Sequence, residues 1–131
     1  MTDYLIKFVE WTKLKIRIHS LPAIKIYFKE REIWWASLGA NVGYEQDGKN
    51  EKFERPILIL KKFGRETLWA LPLTSKNKVG QYYYLFEYDR KRYSVILSQL
   101  RLISSKRLLR KIRTLPVEDF EKIKENIKSF L

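Results

Sequence analysis

The sequence predicts a mainly β domain with helices added at its ends (α+β), its strands curled into a small antiparallel barrel or sheet. Three observations carry that expectation. Short runs rich in Ile, Val, Tyr, Trp and Leu occupy residues 33–37, 57–61, 67–73, 82–87 and 93–98. Turn-like pieces separate these runs, with no long helix between them. The chain then ends on a single apolar helical stripe of Phe120, Ile123, Ile127 and Phe130 or Leu131, spaced by three and four residues.

Each element has a local reason. Thr2 and Asp3 can cap a helix starting near Tyr4, and Pro22 ends it. Leu5, Ile6, Phe8, Val9, Trp11 and Ile16 give this helix much apolar surface, set among Lys7, Lys13, Lys15 and Arg17. Residues 1–28 are therefore read as a helical extension and residues 29–131 as the β domain. The extension is expected to pack on its own domain or on a second copy. The competing reading places it on a membrane or a partner.

Within the domain, Phe63-Gly64-Arg65-Glu66 reads as a tight hairpin, residues 75–81 as a loop around Asn77 and Gly80, and residues 88–92 as a charged turn. Ser104 and Ser105 can cap a single helical turn over 106–109, and residues 111–115 read as a last short strand. Thr114-Leu115-Pro116 opens the final helix. Glu118, Asp119 and Glu121 stand at its start, with Lys122, Lys124 and Lys128 later, as the helix dipole favours. Residues 47–54 read as a flexible insertion.

Bulk composition narrows the chemistry. The 131 residues suit one domain, and their net charge of +12 favours a polyanionic partner. With no cysteine there is no disulfide, thiolate nucleophile or Cys-type zinc site. A single histidine, His19, rules out a His-pair mechanism. Neither a GxxxxGK[ST] loop nor a GxGxxG motif occurs. No apolar run approaches the ~20 residues that span a bilayer, and charges interrupt the N-terminal segment as a signal peptide. The expected compartment is the cytoplasm, and a membrane partner is not expected.

What remains is acid, amide, guanidinium and hydroxyl. REIWWASLGANVGYEQ (31–46) is an aromatic strand entering a loop with Gly39 and Gly43, which ends on Glu45 and Gln46. ERPILIL (54–60) starts a strand on Arg55. That guanidinium is either a rim salt bridge to Glu45 or Glu54, or a planar fork aimed at phosphate. Thr74 ends a strand in LPLTSK, with Ser75 and Lys76 behind it. Gln99 and Arg101, in SQLRLI, lie just past another strand.

These segments, with SVILSQLRLIS, resemble in order and spacing the signature segments of the MazF/PemK family, toxins of bacterial toxin–antitoxin pairs. The resemblance covers about residue 31 to the C-terminus. It implies an SH3-like β-barrel with a C-terminal helix, usually a homodimer. It implies an endoribonuclease that cuts single-stranded RNA without metal or cofactor, and an acidic antitoxin that covers the RNA site. Carried over, the strand-start arginine is Arg55, the strand-end threonine Thr74, the loop acid Glu45 with Gln46 beside it, and the late glutamine Gln99. Arg55 and Thr74 would stabilise the phosphate. Glu45 would orient Arg55 or take the 2′-proton.

The chain departs from the family pattern in four places. Arg31 stands for a glycine, Tyr44 for a small residue or His, and Ser98 for an acid, and the loop between Gln46 and Arg55 is long. RNA contacts are expected from Gln46, Tyr44, Gln99, Arg101 and Lys76, and from stacking on aromatics. Tyr44, Phe53, Tyr82, Tyr83 and Tyr84 are the stacking candidates, with Tyr82 and Tyr84 sharing one strand face. Two of Trp34, Trp35 and Trp69 are expected in the core. Residues 101–113 hold six Lys or Arg and no acid, a surface for RNA or an acidic partner. The alternative function is a non-catalytic SH3-like module that binds nucleic acid or an acidic partner.

Overall fold

The computed structural model describes residues 2–22 and 26–131. Helix α1 (Asp3–Ser20) precedes seven strands: β1 (Glu32–Ser37), β2 (Glu54–Phe63), β3 (Thr67–Thr74), β4 (Tyr83–Tyr88), β5 (Lys91–Ile96), β6 (Arg101–Ser104) and β7 (Leu108–Thr114). Helix α2 (Val117–Ser129) ends the fold. No helix among the described residues is long and apolar enough to cross a membrane.

All strand pairings are antiparallel, in the order β4-β5-β3-β2-β1-β7. Strand β3 is the branch point. Its first half pairs β6 from Thr67↔Ser104 to Ala70↔Arg101, and its end pairs β5 through Leu73↔Val95 and Thr74↔Ser94. Register shifts in β1·β7 and β2·β3 bend the sheet, because a bulge adds a residue to one strand only. Among the described residues no pairing joins β7 back to β4, so the strand path is open. The ends nevertheless approach: the Arg113 guanidinium lies 3.7 Å from the Tyr88 ring centre.

The continuous ILIL run of β2 follows from a sheet covered on both faces. Leu58 and Leu60 pack with Leu71, Leu73 and Val95, under Phe120 and Ile123 of α2. Ile57 and Ile59 face the other way, toward Trp34, Leu68, Ile103 and Leu108. Trp34 alone of the three tryptophans is buried; Trp35 is half-covered and Trp69 is 40% exposed. Trp11 of α1 sits in a third, small cluster with Ala40 and Phe53.

The C-terminal third differs from expectation. Strand β6 was not foreseen, since four residues carry too short an alternation to read. The helical turn expected over 106–109 is a 3-10 turn over Ser105–Arg107, and Leu108 already pairs with Ala36. Strand β7 is thus longer and earlier than the segment 111–115. Residues 47–54 are not a loose insertion: Lys49 and Glu54 exchange two backbone hydrogen bonds of 2.8 Å. Arg31, standing where the family resemblance expects glycine, has φ 77°, a backbone region that favours glycine. Its Nε donates to the Leu115 carbonyl at 3.1 Å, and its own carbonyl accepts from Leu115 N at 2.8 Å, which holds the strained turn.

Candidate functional site

The site grows from the first residues of β2. Ile57 lies opposite Pro72, and continuing that register sets Arg55 beside Thr74 at the strand ends. Pro56 stands opposite Leu73 in this register and has no N–H to give. The Leu73 carbonyl accepts from Arg55 Nη1 at 3.0 Å, and the Asp47 carbonyl accepts from Nε at 2.6 Å. The guanidinium is half-buried and held in one orientation by neutral acceptors. Burial lowers its pKa from the usual arginine value, and the Asp47 charge opposes that drop. No carboxylate forms an ion pair with it among the described residues.

The loop that presents the Asp47 carbonyl is closed on itself. Asn41 N donates to Asp47 Oδ1 at 2.6 Å, Asn41 Nδ2 to the Gln46 carbonyl at 2.8 Å, and Gly48 N to the Gly39 carbonyl at 2.8 Å. Position 48 admits only glycine, since a Cβ there would lie 1.6 Å from the Phe53 carbonyl oxygen. Gln99 locks the loop from outside, accepting from Gln46 N at 2.7 Å and donating to the Tyr44 carbonyl at 2.9 Å. One acceptor and one donor position of its amide are thus engaged by the loop, so Gln99 holds the loop in place while lining the site.

Thr74 accepts from Lys76 N at 3.2 Å, which leaves its hydroxyl proton free to donate. Arg55, Thr74, Lys76, Gln46 and Tyr44 line a cleft of about 860 Å³ that runs to Arg113 and Tyr88. The cleft therefore follows the seam where the strand path fails to close. Tyr44 is 97% exposed on its rim.

Glu45 is not where the sequence placed it. Its carboxylate accepts from Val42 N at 3.0 Å, within its own turn. Its charge acts on Arg101, and Arg55 is oriented by Asp47 and Leu73 instead. Glu45, Ser98 and Arg101 line an adjoining hollow of about 570 Å³, and Tyr44, Gln46 and Gln99 form the wall it shares with the cleft. Beside it, Arg101 donates to the Leu38 carbonyl at 3.4 Å, and Arg107 to those of Ser37 and Leu38 at 3.1 and 3.3 Å. Burial and the neighbouring Arg101 push the Arg107 guanidinium down to about 10.

Three stacking candidates lie elsewhere. Tyr82 and Tyr84 do share a face, but it is the α2 face. Tyr82 packs against Phe130 with ring centres 5.3 Å apart, and the Tyr84 hydroxyl donates to Asp119 at 2.5 Å. Burial and that acid raise the Tyr84 pKa. Phe53 is buried against Trp11. Tyr83 and Trp35 line the cleft in their place. Sequence reading also missed Asp47 and Arg107. Strand alternation on β1, which opposes Trp35 to Trp34, could have found Trp35. Nothing in the sequence marks a backbone carbonyl such as that of Asp47. A larger, mostly apolar cleft of about 1080 Å³ lies under α1, between Leu14, Ile18 and Leu108, and contains none of the candidate residues.

Comparison with known proteins places this geometry. A model of the PemK-like, MazF-like toxins of type II toxin–antitoxin systems matches residues 29–131. No curated protein matches the chain. Among solved structures, MazF from Deinococcus radiodurans is similar over 80% of this chain and 97% of its own, at 20% identity and a TM-score of 0.64. The Mycobacterium tuberculosis toxin MazF-mt6 is similar over 76% and 94%, at 18% identity and a TM-score of 0.58. An endoribonuclease from a mycobacterial species, solved in complex with its cognate antitoxin, is similar over 79% and 93%, at 13% identity and a TM-score of 0.58. At these identities the solved structures speak for the fold, while the family match spans all seven strands and α2. The chain belongs to the PemK-like, MazF-like toxins of type II toxin–antitoxin systems.

Proposed function

We propose that this toxin is an endoribonuclease that cuts single-stranded RNA without a metal or cofactor. The observation that carries the reading is Arg55, its guanidinium fixed by two carbonyls beside the Thr74 hydroxyl in a cleft edged by Lys76 and Arg113. In the reaction the RNA 2′-oxygen forms a bond to its own 3′-phosphorus while the bond to the 5′-oxygen breaks. The 2′-proton ends on the departing 5′-oxygen, giving a cyclic phosphate and a free 5′-hydroxyl. Arg55 stabilises the charge that builds on the phosphoryl oxygens, and its pre-set orientation means little reorganisation during the reaction. Thr74 donates to a non-bridging oxygen. Glu45, beside Arg101, serves the adjoining hollow, where a neighbouring nucleotide rests.

In the same reading the sheet is an SH3-like barrel that works as a homodimer in the cytoplasm. The net charge of +12 suits both RNA and an acidic antitoxin. The test is incubation of the purified protein with single-stranded RNAs of varied sequence in EDTA. Fragments bearing 5′-hydroxyl and cyclic-phosphate ends are the expected outcome. RNA that is bound but left intact across those sequences would return the chain to the alternative, a non-catalytic nucleic-acid module.

A further inference from the structure

We infer that Trp11, on a helix outside the matched family region, is a positioning residue for the Arg55 site. Trp11 is the buried residue of α1. Its indole lies against Gly39, where an added Cβ would come within 2.2 Å of Cε2. The same ring packs at 5.6 Å on Phe53, and the Arg107 guanidinium lies 5.4 Å from the indole centre. Trp11 therefore covers the point from which the site loop springs.

From that point the hydrogen bonds lead directly to the catalytic guanidinium. The Phe53 carbonyl accepts from Leu38 N at 2.8 Å and Gly39 N at 3.2 Å. The Gly39 carbonyl accepts from Gly48 N at 2.8 Å, next to Asp47. Asp47 then holds Asn41 N through its side chain and Arg55 Nε through its carbonyl. Removing the indole opens space on the Gly39 and Phe53 side of this chain and frees the Asp47 carbonyl to shift. Arg55 keeps its charge but loses its aim.

The contact is small enough to break without breaking the sheet. Among the described residues, besides Trp11, α1 rests on the body through Leu14, Ile18 and one hydrogen bond from Lys106 Nζ to the His19 carbonyl at 2.8 Å. The N-terminal part of α1 leaves Tyr4, Leu5, Ile6, Phe8 and Val9 exposed. The two principal cores contain no α1 residue.

The test compares full-length wild type, Trp11→Ala and Trp11→Phe by amide hydrogen exchange and by RNA cleavage. In Trp11→Ala the Gly48 and Asn41 amides should exchange about tenfold faster or more, while those of Leu58 and Leu71 in the sheet stay as in wild type. The cleavage arm, which rests on the proposed ribonuclease reading, should show kcat down about tenfold with KM within about twofold. Trp11→Phe should recover most of both. Unchanged exchange at Gly48 and Asn41, or equal acceleration at Leu58 and Leu71, overturns the inference. If the wild type cleaves no RNA, the ribonuclease reading fails, and exchange alone still decides this one. Should Trp11→Ala not fold, Trp11→Leu, which keeps an apolar cover without the ring, takes its place under the same criteria.

Discussion

Two regions of this molecule bury charge, and they do it in opposite ways. At the start of β1, Glu32 is only 7% exposed. Its carboxylate accepts from Lys29 N at 2.8 Å and Trp34 Nε1 at 3.0 Å, and pairs with Lys111 Nζ at 3.0 Å. Burial alone would raise its pKa, but the bonds from Trp34, Lys111 and Lys29 outweigh it and leave the carboxyl below its usual 4.5. At the loop end, Arg55, Arg101 and Arg107 are met mainly by backbone carbonyls, and the charges of Asp47 and Glu45 act on Arg55 and Arg101 without forming an ion pair. A buried ion with a counter-ion holds the fold together. A half-buried ion met by dipoles retains attraction for an outside anion.

The contrast can be broken at three points. The largest expected effect is on Arg55→Ala, which should lower kcat for RNA cleavage about 100-fold or more. Its thermal midpoint should stay close to wild type, as read by circular dichroism. Next is Glu32→Gln, expected to cost about 1–3 kcal/mol of stability at pH 7, because donors built for a carboxylate lose part of their acceptor. It should leave cleavage intact. Because the folded pKa of Glu32 is depressed, its contribution is fully present above about pH 4.5 and is lost as pH falls through the folded value. Urea melts of wild type should therefore weaken in that acid window, and Glu32→Gln should flatten the slope. The smallest effect is on Arg101→Ala, which should weaken RNA binding about threefold to tenfold and cut the slope of log affinity against log salt by about 1. If Arg101→Ala melted the protein as much as Glu32→Gln, the distinction between the two kinds of buried charge would collapse.

How far the sequence could be read follows the same physics. Elements with a repeating side-chain signal were legible: the α2 stripe, the β2 run and the hairpin at Gly64, whose flanking Phe63 and Thr67 pair as expected. The strand-end positions of Arg55 and Thr74 were legible because strand ends are where polar residues meet a core, and β2 does begin one residue before Arg55 and β3 does end on Thr74. Glu45 was misplaced because what holds Arg55 is the Asp47 main chain, and a carbonyl carries no residue identity. Phe53 read as a stacking surface because nothing in the loop announces that α1 will cover it. Tyr82 and Tyr84 were paired correctly by alternation, but alternation cannot say which face α2 occupies. Strand β6 and the start of β7 were hidden in a basic stretch that reads as surface.

The unclosed strand path has one more consequence. A sheet that stops between β4 and β7 leaves unpaired strand edges, and such edges are templates for another chain. Strand β7 carries Arg110 and Lys111, exposed but paired with Glu54 and Glu32, and the half-covered Arg113, which lies across the gap over Tyr88. Arg113 has no acidic partner among the described residues, so its charge would disfavour a second basic copy at that edge and favour an anion. The Arg113 guanidinium that lies over the gap would thus guard an edge that would otherwise invite pairing with another chain.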